Sequence, residues 1–359
     1  MFGSGGQVWL AILWLLPWIA CGQSSAGNAA AAPQLPADPV RFLEFAAKVN
    51  GLASDEAGPW HVRATFQIFD KEGKAGESGT YEAYWKSPNK YKMNYSSPSY
   101  TRIIWANESG SYATSNPKWP GDLEWMIRRS LFDLTPEPST FKGWNLSWRE
   151  ASIGVRVNCV DALPVHFQLR PREIPVNCFD FGTPILRYGS EARQRYQGVF
   201  NNIVNLGGAY VAKDVQLMHI GKTYFRLHLD VLEPLPEVGD EVFRPDQKAV
   251  PVPRRVVIDS DLREIQAAYT VGISRWNIEP RTPVSNTGQI ADRIMPSLNG
   301  QEVILQVLVN KKGTVVEARP IQGEMRAQFK AIAAAMQWKF MPYVVQGEPT
   351  EFYTELEFW

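Results

Sequence analysis

The sequence predicts an α+β protein: an antiparallel β-sheet with covering helices, followed by a small ββαβ module. Three observations predict it. Apolar and polar residues alternate through most of residues 60–235, with Gly, Pro, Asn and Ser at turn spacing. Two stretches inside the first 140 residues switch to helical spacing. Residues 296–359 then carry their own succession of strand, strand, helix and strand. A chain of 359 residues is long enough for two domains, because single cores stop growing beyond roughly 250 to 300 residues.

Hydrophobic residues make up 45% of the chain and charged residues 21%, a composition that can bury a core. Lys plus Arg equals Asp plus Glu at 37 each. No basic field exists to condense onto phosphates, which excludes nucleic acid as the natural partner.

Residues 1–22 contain an apolar run from Val8 to Cys21 that is shorter than the ~18 residues of a spanning helix. It reads as a secretory signal or an N-terminal membrane anchor, although no Lys or Arg precedes Arg41. Cys21 stands either as the acylated cysteine of a lipoprotein signal or as a small residue beside an ordinary cleavage site. Residues 23–37 form a low-complexity tether. The expected location is the periplasm or cell envelope, with membrane association through the N-terminus. In such an oxidising setting Cys159 and Cys178 predict a disulfide, worth about 3 kcal/mol by loop entropy.

The first domain spans 38–250. Asp38-Pro39 predicts a capped helix ending by Gly51. "WHVRATFQIFD" alternates, with Trp60, Val62, Ala64, Phe66 and Ile68 on one face. "TYEAYWK" follows with Tyr81, Ala83 and Trp85 together, then short strands at "KYKMNY", "TRIIWA" and "GSYAT". "GDLEWMIRRSLFD" sets Leu123, Met126, Ile127 and Leu131 at helical spacing, a helix covering the sheet. Strands resume around Cys159 and Cys178, and two more meet at a turn over His219–Lys222. A proline-rich exit ends the sheet, and 251–295 connects to the last domain. There, Val303, Leu305, Val307 and Val309 form one strand face, and Asn310 to Gly313 makes a turn into a second strand. Met325, Phe329, Ile332, Ala333 and Met336 mark a helix. The final strand sets Phe352, Thr354, Leu356 and Phe358 against Tyr353, Glu355, Glu357 and Trp359.

The segments "VILQVLVNKKGTVVEARPI" and "AIAAAMQWKFMPYVVQGEPTEFYTELEF" give residues 296–359 a resemblance to the C-terminal domain of TonB-type energy transducers. Its A-x-x-A-x-x-x-W-x-F-x-P segment places Trp338 and Phe340 as anchors of the helix end and Pro342 as its stop. The resemblance implies a last strand at a sheet edge, Phe352, Tyr353, Thr354, Glu355, Leu356, Glu357 and Phe358, that adds to an extended peptide of an outer-membrane receptor. Two other readings stand beside it: the strand completes its own sheet, or it pairs with a second copy as a homodimer. The family's spanning helix and long spacer have no counterpart here, which leaves the motor connection without support.

"GTYEAYWKSPNKYKMNY" carries a W-x-x-P-x-K-Y pattern that resembles the LolA and LolB lipoprotein carriers. That resemblance implies a curved, half-barrel antiparallel sheet closed by helices over an apolar cavity, with Phe66, Trp85, Tyr91 and Trp105 lining a pocket for a lipid or acyl chain. Ordinary core packing explains the same aromatic residues equally well.

No catalytic or cofactor motif is present. His61, His166, His219 and His228 are dispersed, and no His-Glu-x-x-His, Gly-x-Ser-x-Gly or phosphate loop occurs. The expectation is a non-enzymatic envelope protein that binds a partner peptide by strand addition; the alternative is a periplasmic lipid- or lipoprotein-binding module, for which the terminal domain is a dock.

Overall fold

The Asp38 carboxylate accepts a hydrogen bond from Arg41 N at 2.9 Å, so helix α1 (Pro39–Val49) starts where its cap and N-terminal proline dictate. The structure is a computed structural model that describes residues 35–257 and 303–358, apart from 118, 133, 136–143, 165–173, 191–195, 339, 341 and 346–347, with 273–274 and 277–278 in addition. The signal or anchor segment, Cys21, most of the tether and most of the 251–295 connection lie outside the described residues. Among those described, no helix is long and apolar enough to cross a membrane.

Five strands form a first meander: β1 (Trp60–Phe69), β2 (Ala75–Ser87), β3 (Lys90–Ser96), β4 (Thr101–Asn107) and β5 (Gly110–Ala113). Helix α2 (Asp122–Leu131) follows, then a second meander of β6 (Trp144–Ser152), β7 (Arg156–Pro164), β8 (Val176–Asp180), β9 (Leu186–Ser190), β10 (Tyr196–Leu206), β11 (Ala209–His219) and β12 (Lys222–Pro234). Antiparallel pairing of β1 with β12 joins the two, and β13 (Val250–Pro251) adds to β5, giving one 13-stranded sheet. Register shifts opposite Arg63/Ala64 of β1 and Leu217/Met218 of β11 leave Asp230 and Tyr224 of β12 as the extra residues, two bulges in one central strand that curl the sheet. The β11–β12 turn has Ile220 and Gly221 at φ 50° and 75°, the primed geometry of a two-residue hairpin.

Helices α1 and α2 cover one face. Leu43 of α1 and Ile127 and Leu131 of α2 are fully buried against Trp60, Tyr81, Phe225 and Leu229. Gly51 ends the α1 region at φ 84°, and a Cβ there would stand 2.0 Å from the Phe132 carbonyl oxygen, so only glycine lets α1 run past the end of α2. Cys159 and Cys178 sit directly opposite each other on β7 and β8, form the expected disulfide and are buried.

The chain leaves the large sheet after β13 and enters a second one. There β14 (Arg255–Val257) lies parallel to the final strand; a separate two-stranded pair, β15 (Ile273–Ser274) with β16 (Asn277–Ile278), intervenes in sequence. Strands β17 (Val303–Val309) and β18 (Val315–Gln322), helix α3 (Met325–Ala335), β19 (Tyr343–Val345) and β20 (Glu348–Phe358) complete it, in the order β14-β20-β17-β18 with β19 folded back on β20.

Three expectations change here. The last strand is interior at Phe352 and Tyr353, between β17 and β14, and the margin opposite β14 is β18. The 251–295 segment is more than a connection, because its Arg255–Val257 supplies that flanking strand. Helix α3 does not bury the face marked by Met325, Phe329, Ile332, Ala333 and Met336. Ala327, Ala331, Ala334 and Ala335 face the core, while Ile332 is half-buried and the other four are exposed. Small alanines let the helix sit close on the large Val and Leu side chains of β17, and Trp338 and Phe340 fill the end of that core. Finally, β17 is buried on both faces, with Leu308 turned away from α3 and toward Trp125 of α2.

Replacing Cys159 and Cys178 together by serine is expected to lower the unfolding free energy by about 3 kcal/mol in urea titrations; an unchanged midpoint excludes a structural role for the bond.

Candidate functional site

Strand alternation builds the floor of a cavity of about 400 Å³ on the helix-covered face of the large sheet. Tyr91, Met93 and Tyr95 of β3 point the same way and stand opposite Ala106, Ile104 and Arg102 of β4. Trp60, Trp85 and Tyr91 lie in cross-strand register and stack, at 5.7 Å with an interplanar angle of 5° and at 5.1 Å with 14°. The floor is therefore rigid and apolar, and it runs into a charged corner.

That corner is made by α2. Arg102 Nη1 donates to Glu124 Oε1 at 2.6 Å, with the two side chains only 11% and 8% exposed. The Tyr100 hydroxyl donates to the same oxygen. Gly121 permits this approach, since a Cβ there would fall 2.6 Å from the Tyr100 ring. Burial, then the Glu124 charge and its hydrogen bond, push the Tyr100 phenol well above the ordinary range. Burial opposes the Arg102 charge, but the charge and hydrogen bond of Glu124 outweigh it and hold the guanidinium above its usual value. Arg102 Nε is buried and donates to no acceptor among the described residues.

The rim comes from the crossing between sheets and from the second sheet. Arg254 reaches the Pro88 carbonyl at 2.9 Å. Arg255 bonds Glu351 at 3.0 Å and the Tyr353 hydroxyl at 2.7 Å. Tyr343 and Tyr353 close the far side. The second sheet is held there by a cluster of Trp119, Trp125, Leu308 and Tyr353 and by the buried Arg129–Glu355 pair at 3.4 Å. The lining thus contains Arg102, Arg128, Arg254 and Arg255 against the single carboxylate of Glu124.

Of the four residues expected to line a lipid pocket, Trp85 and Tyr91 line this cavity. Phe66 is buried elsewhere in the same core, stacked on Phe225 at 5.6 Å. Trp105 alternates with Ile104 and Ala106 and is buried on the opposite face of β4. Within the W-x-x-P-x-K-Y stretch, Trp85, Pro88 and Tyr91 line the cavity, whereas Lys90 pairs with Asp240 at 2.7 Å across the sheet's other face.

Of the residues expected to form an accessible edge, Phe352 and Tyr353 have strands on both flanks, whereas Thr354–Phe358 pair only with β17 among the described residues. Phe352 and Leu356 lie in the core under α3, Thr354 and Glu355 are buried, and Tyr353 lines the cavity. The backbones of Glu357 and Phe358 pair with Ile304 and Val303. The parallel strand β14 fills the flank that strand addition or a homodimer needs along Glu351–Tyr353.

Sequence reasoning missed Arg102, Glu124, Arg254 and Arg255. The available signal was Arg102 itself, a charge within the otherwise apolar run "RIIWA". Among the described residues, no cluster of three or more His, Cys, Asp or Glu is placed to hold a metal ion.

No family model matches the chain, so the resemblance of residues 296–359 to TonB C-terminal domains gains no support there. No curated protein matches it either. Among solved structures, the chain is similar to a LolA superfamily protein from Nitrosomonas europaea at 8% identity, covering 57% of this chain and 97% of that one with a TM-score of 0.37. It is similar to a DUF1329 family protein from Desulfovibrio piger at 11% identity, covering 58% and 98% with a TM-score of 0.36. A putative outer membrane lipoprotein-sorting protein domain from Vibrio parahaemolyticus matches at 10% identity, covering 52% and 89% with a TM-score of 0.32.

Glu124→Gln leaves the Arg102 charge buried without its counter-ion and is expected to cost about 3 kcal/mol of stability; Arg102→Met with Glu124→Gln recovers most of it. Equal stability of the single and double variants in urea titration counts against a coupled pair. Burial also raises the phenols of Tyr81, Tyr91 and Tyr95. A group whose folded pKa is raised stabilises the fold below its unfolded pKa and loses that contribution as pH rises toward the folded value. Stability should therefore fall as pH climbs above about 10, the unfolded tyrosine value. In absorbance titration at alkaline pH these tyrosines should ionise only with unfolding.

Proposed function

We propose that the protein is a non-enzymatic binding protein of an oxidising compartment outside the cytoplasm, and that it holds an anionic amphiphile in the cavity beneath α2. One observation carries the reading: the floor of stacked Trp85 and Tyr91, continued by Met93, runs directly into the buried guanidinium of Arg102. An apolar chain lies on the floor, where burial of its methylenes supplies about 0.8 kcal/mol each. A carboxylate or phosphate head meets Arg102 Nε at one end, within an arginine-rich lining. The volume is within the ~300–1,000 Å³ of small-molecule sites. The buried disulfide fits an exported protein. Strand addition along 352–358 is not the leading reading, because β14 already pairs with Glu351–Tyr353 and leaves only Thr354–Phe358 for a partner strand.

Titration of the purified full chain with a dansylated fatty acid tests this. Saturable binding that palmitate displaces is expected, and Ile104→Trp, which fills the cavity from β4, should weaken it about tenfold or more. A folded wild type without saturable binding, or an Ile104→Trp variant that binds equally well, overturns the assignment.

A further inference from the structure

Helix α3 turns its bulkiest apolar side chains away from the protein. Met325 is 71% exposed, Phe329 69% and Met336 39%, with half-buried Ile332 at the margin of the same stripe. These positions recur at helical spacing and form one face over three turns. The alanine face opposite packs on β17, so the outward stripe is not needed for the core. The next row around the helix is basic: Arg326 and Lys330 stand one turn apart, and no acidic residue occurs between Met325 and Ala335. A lone exposed apolar residue at a turn tip, such as Ile220, needs no explanation; a continuous stripe with a basic flank does.

We infer that α3 docks on an anionic lipid surface, with Met325, Phe329 and Met336 entering the headgroup boundary and Arg326 and Lys330 resting on the acidic headgroups. Such a layout, apolar residues on one side and cations beside them, is that of an interfacial helix. A second copy fits the stripe less well. Two-fold packing of α3 on itself sets Arg326 and Lys330 of both copies close together. The three side chains also offer only on the order of 300–400 Å², against ~800 Å² per partner in a standard protein interface. A bilayer needs neither shape complementarity nor that area. Helix α3 lies on the face of the second sheet opposite the one packed on α2, so docking leaves the cavity side uncovered by lipid.

The test is a polarity-sensitive fluorophore at Ala333→Cys, an exposed position on the stripe's border, in the full chain carrying Cys21→Ser. Vesicles of equal parts phosphatidylglycerol and phosphatidylcholine should enhance its emission, and brominated lipid should quench it. Phosphatidylcholine alone should give little response, and the same fluorophore at Ile220→Cys should give none. Phe329→Asp should weaken the response about tenfold or more, and Arg326→Glu with Lys330→Glu should abolish its dependence on acidic lipid. Ile104→Trp should leave it unchanged, so a failure of the cavity assignment is read separately. No response to acidic vesicles from folded protein overturns the inference. So does a response that appears without lipid and grows with protein concentration, which marks self-association, or one elicited by polyglutamate alone, which marks an acidic polypeptide partner.

Discussion

Helix α2 is enclosed on two sides, and the arrangement of the site depends on that enclosure. Leu123, Ile127 and Leu131 press on the large sheet, while Trp125 turns outward into a cluster with Leu308 and Tyr353 of the second sheet. A helix laid over a sheet ordinarily keeps one face in water. Here little of that face remains, so the charged groups of α2 must be neutralised in place. Glu124 is paired with Arg102 on one sheet, and Arg129 reaches Glu355 on the other. Desolvated pairs of this kind tolerate little misplacement. They fix the height of α2 above the strands, and with it the depth of the cavity.

The site inherits its chemistry from this geometry. Cross-strand stacking makes the floor stiff, and the helix sets a charged wall at one end of it. Tyr353 gives the second sheet a share in the lining, through a strand whose other face serves the small core under α3. The same sheet thus presents aromatic residues to the cavity and alanine contacts to its own helix, and the remaining apolar stripe of α3 looks outward.

Local patterning announced much of this. Alternation in "WHVRATFQIFD" and "TYEAYWK" located β1, β2 and the inward row that includes Trp60 and Trp85, because strand faces follow directly from a period of two. Asp38-Pro39 marked the start of α1, and the pair Cys159 and Cys178, read with an N-terminal segment that resembles a secretory signal, marked the disulfide. What stayed illegible was decided by packing between distant segments. An apolar stripe on α3 shows that the helix has an apolar side, yet alanines on the other side packed better against β17. The interior position of β20 depends on Arg255–Val257, some hundred residues earlier, and no local pattern there announces a parallel partner. Arg102 lies in a run apolar on both sides, so neither its direction nor its partner Glu124 could be read without the fold.

The parallel pairing of β14 with β20 also shapes how the protein folds. Arg255 and Glu351 are 96 positions apart, so the large sheet with its helices can assemble before the rim supplied by the second sheet is in place. Closing so long a loop is entropically costly and slow compared with hairpin formation in the first sheet. Until β20 docks, the side of the cavity that Tyr343 and Tyr353 close therefore stays open, an interval in which a hydrophobic guest has its easiest access.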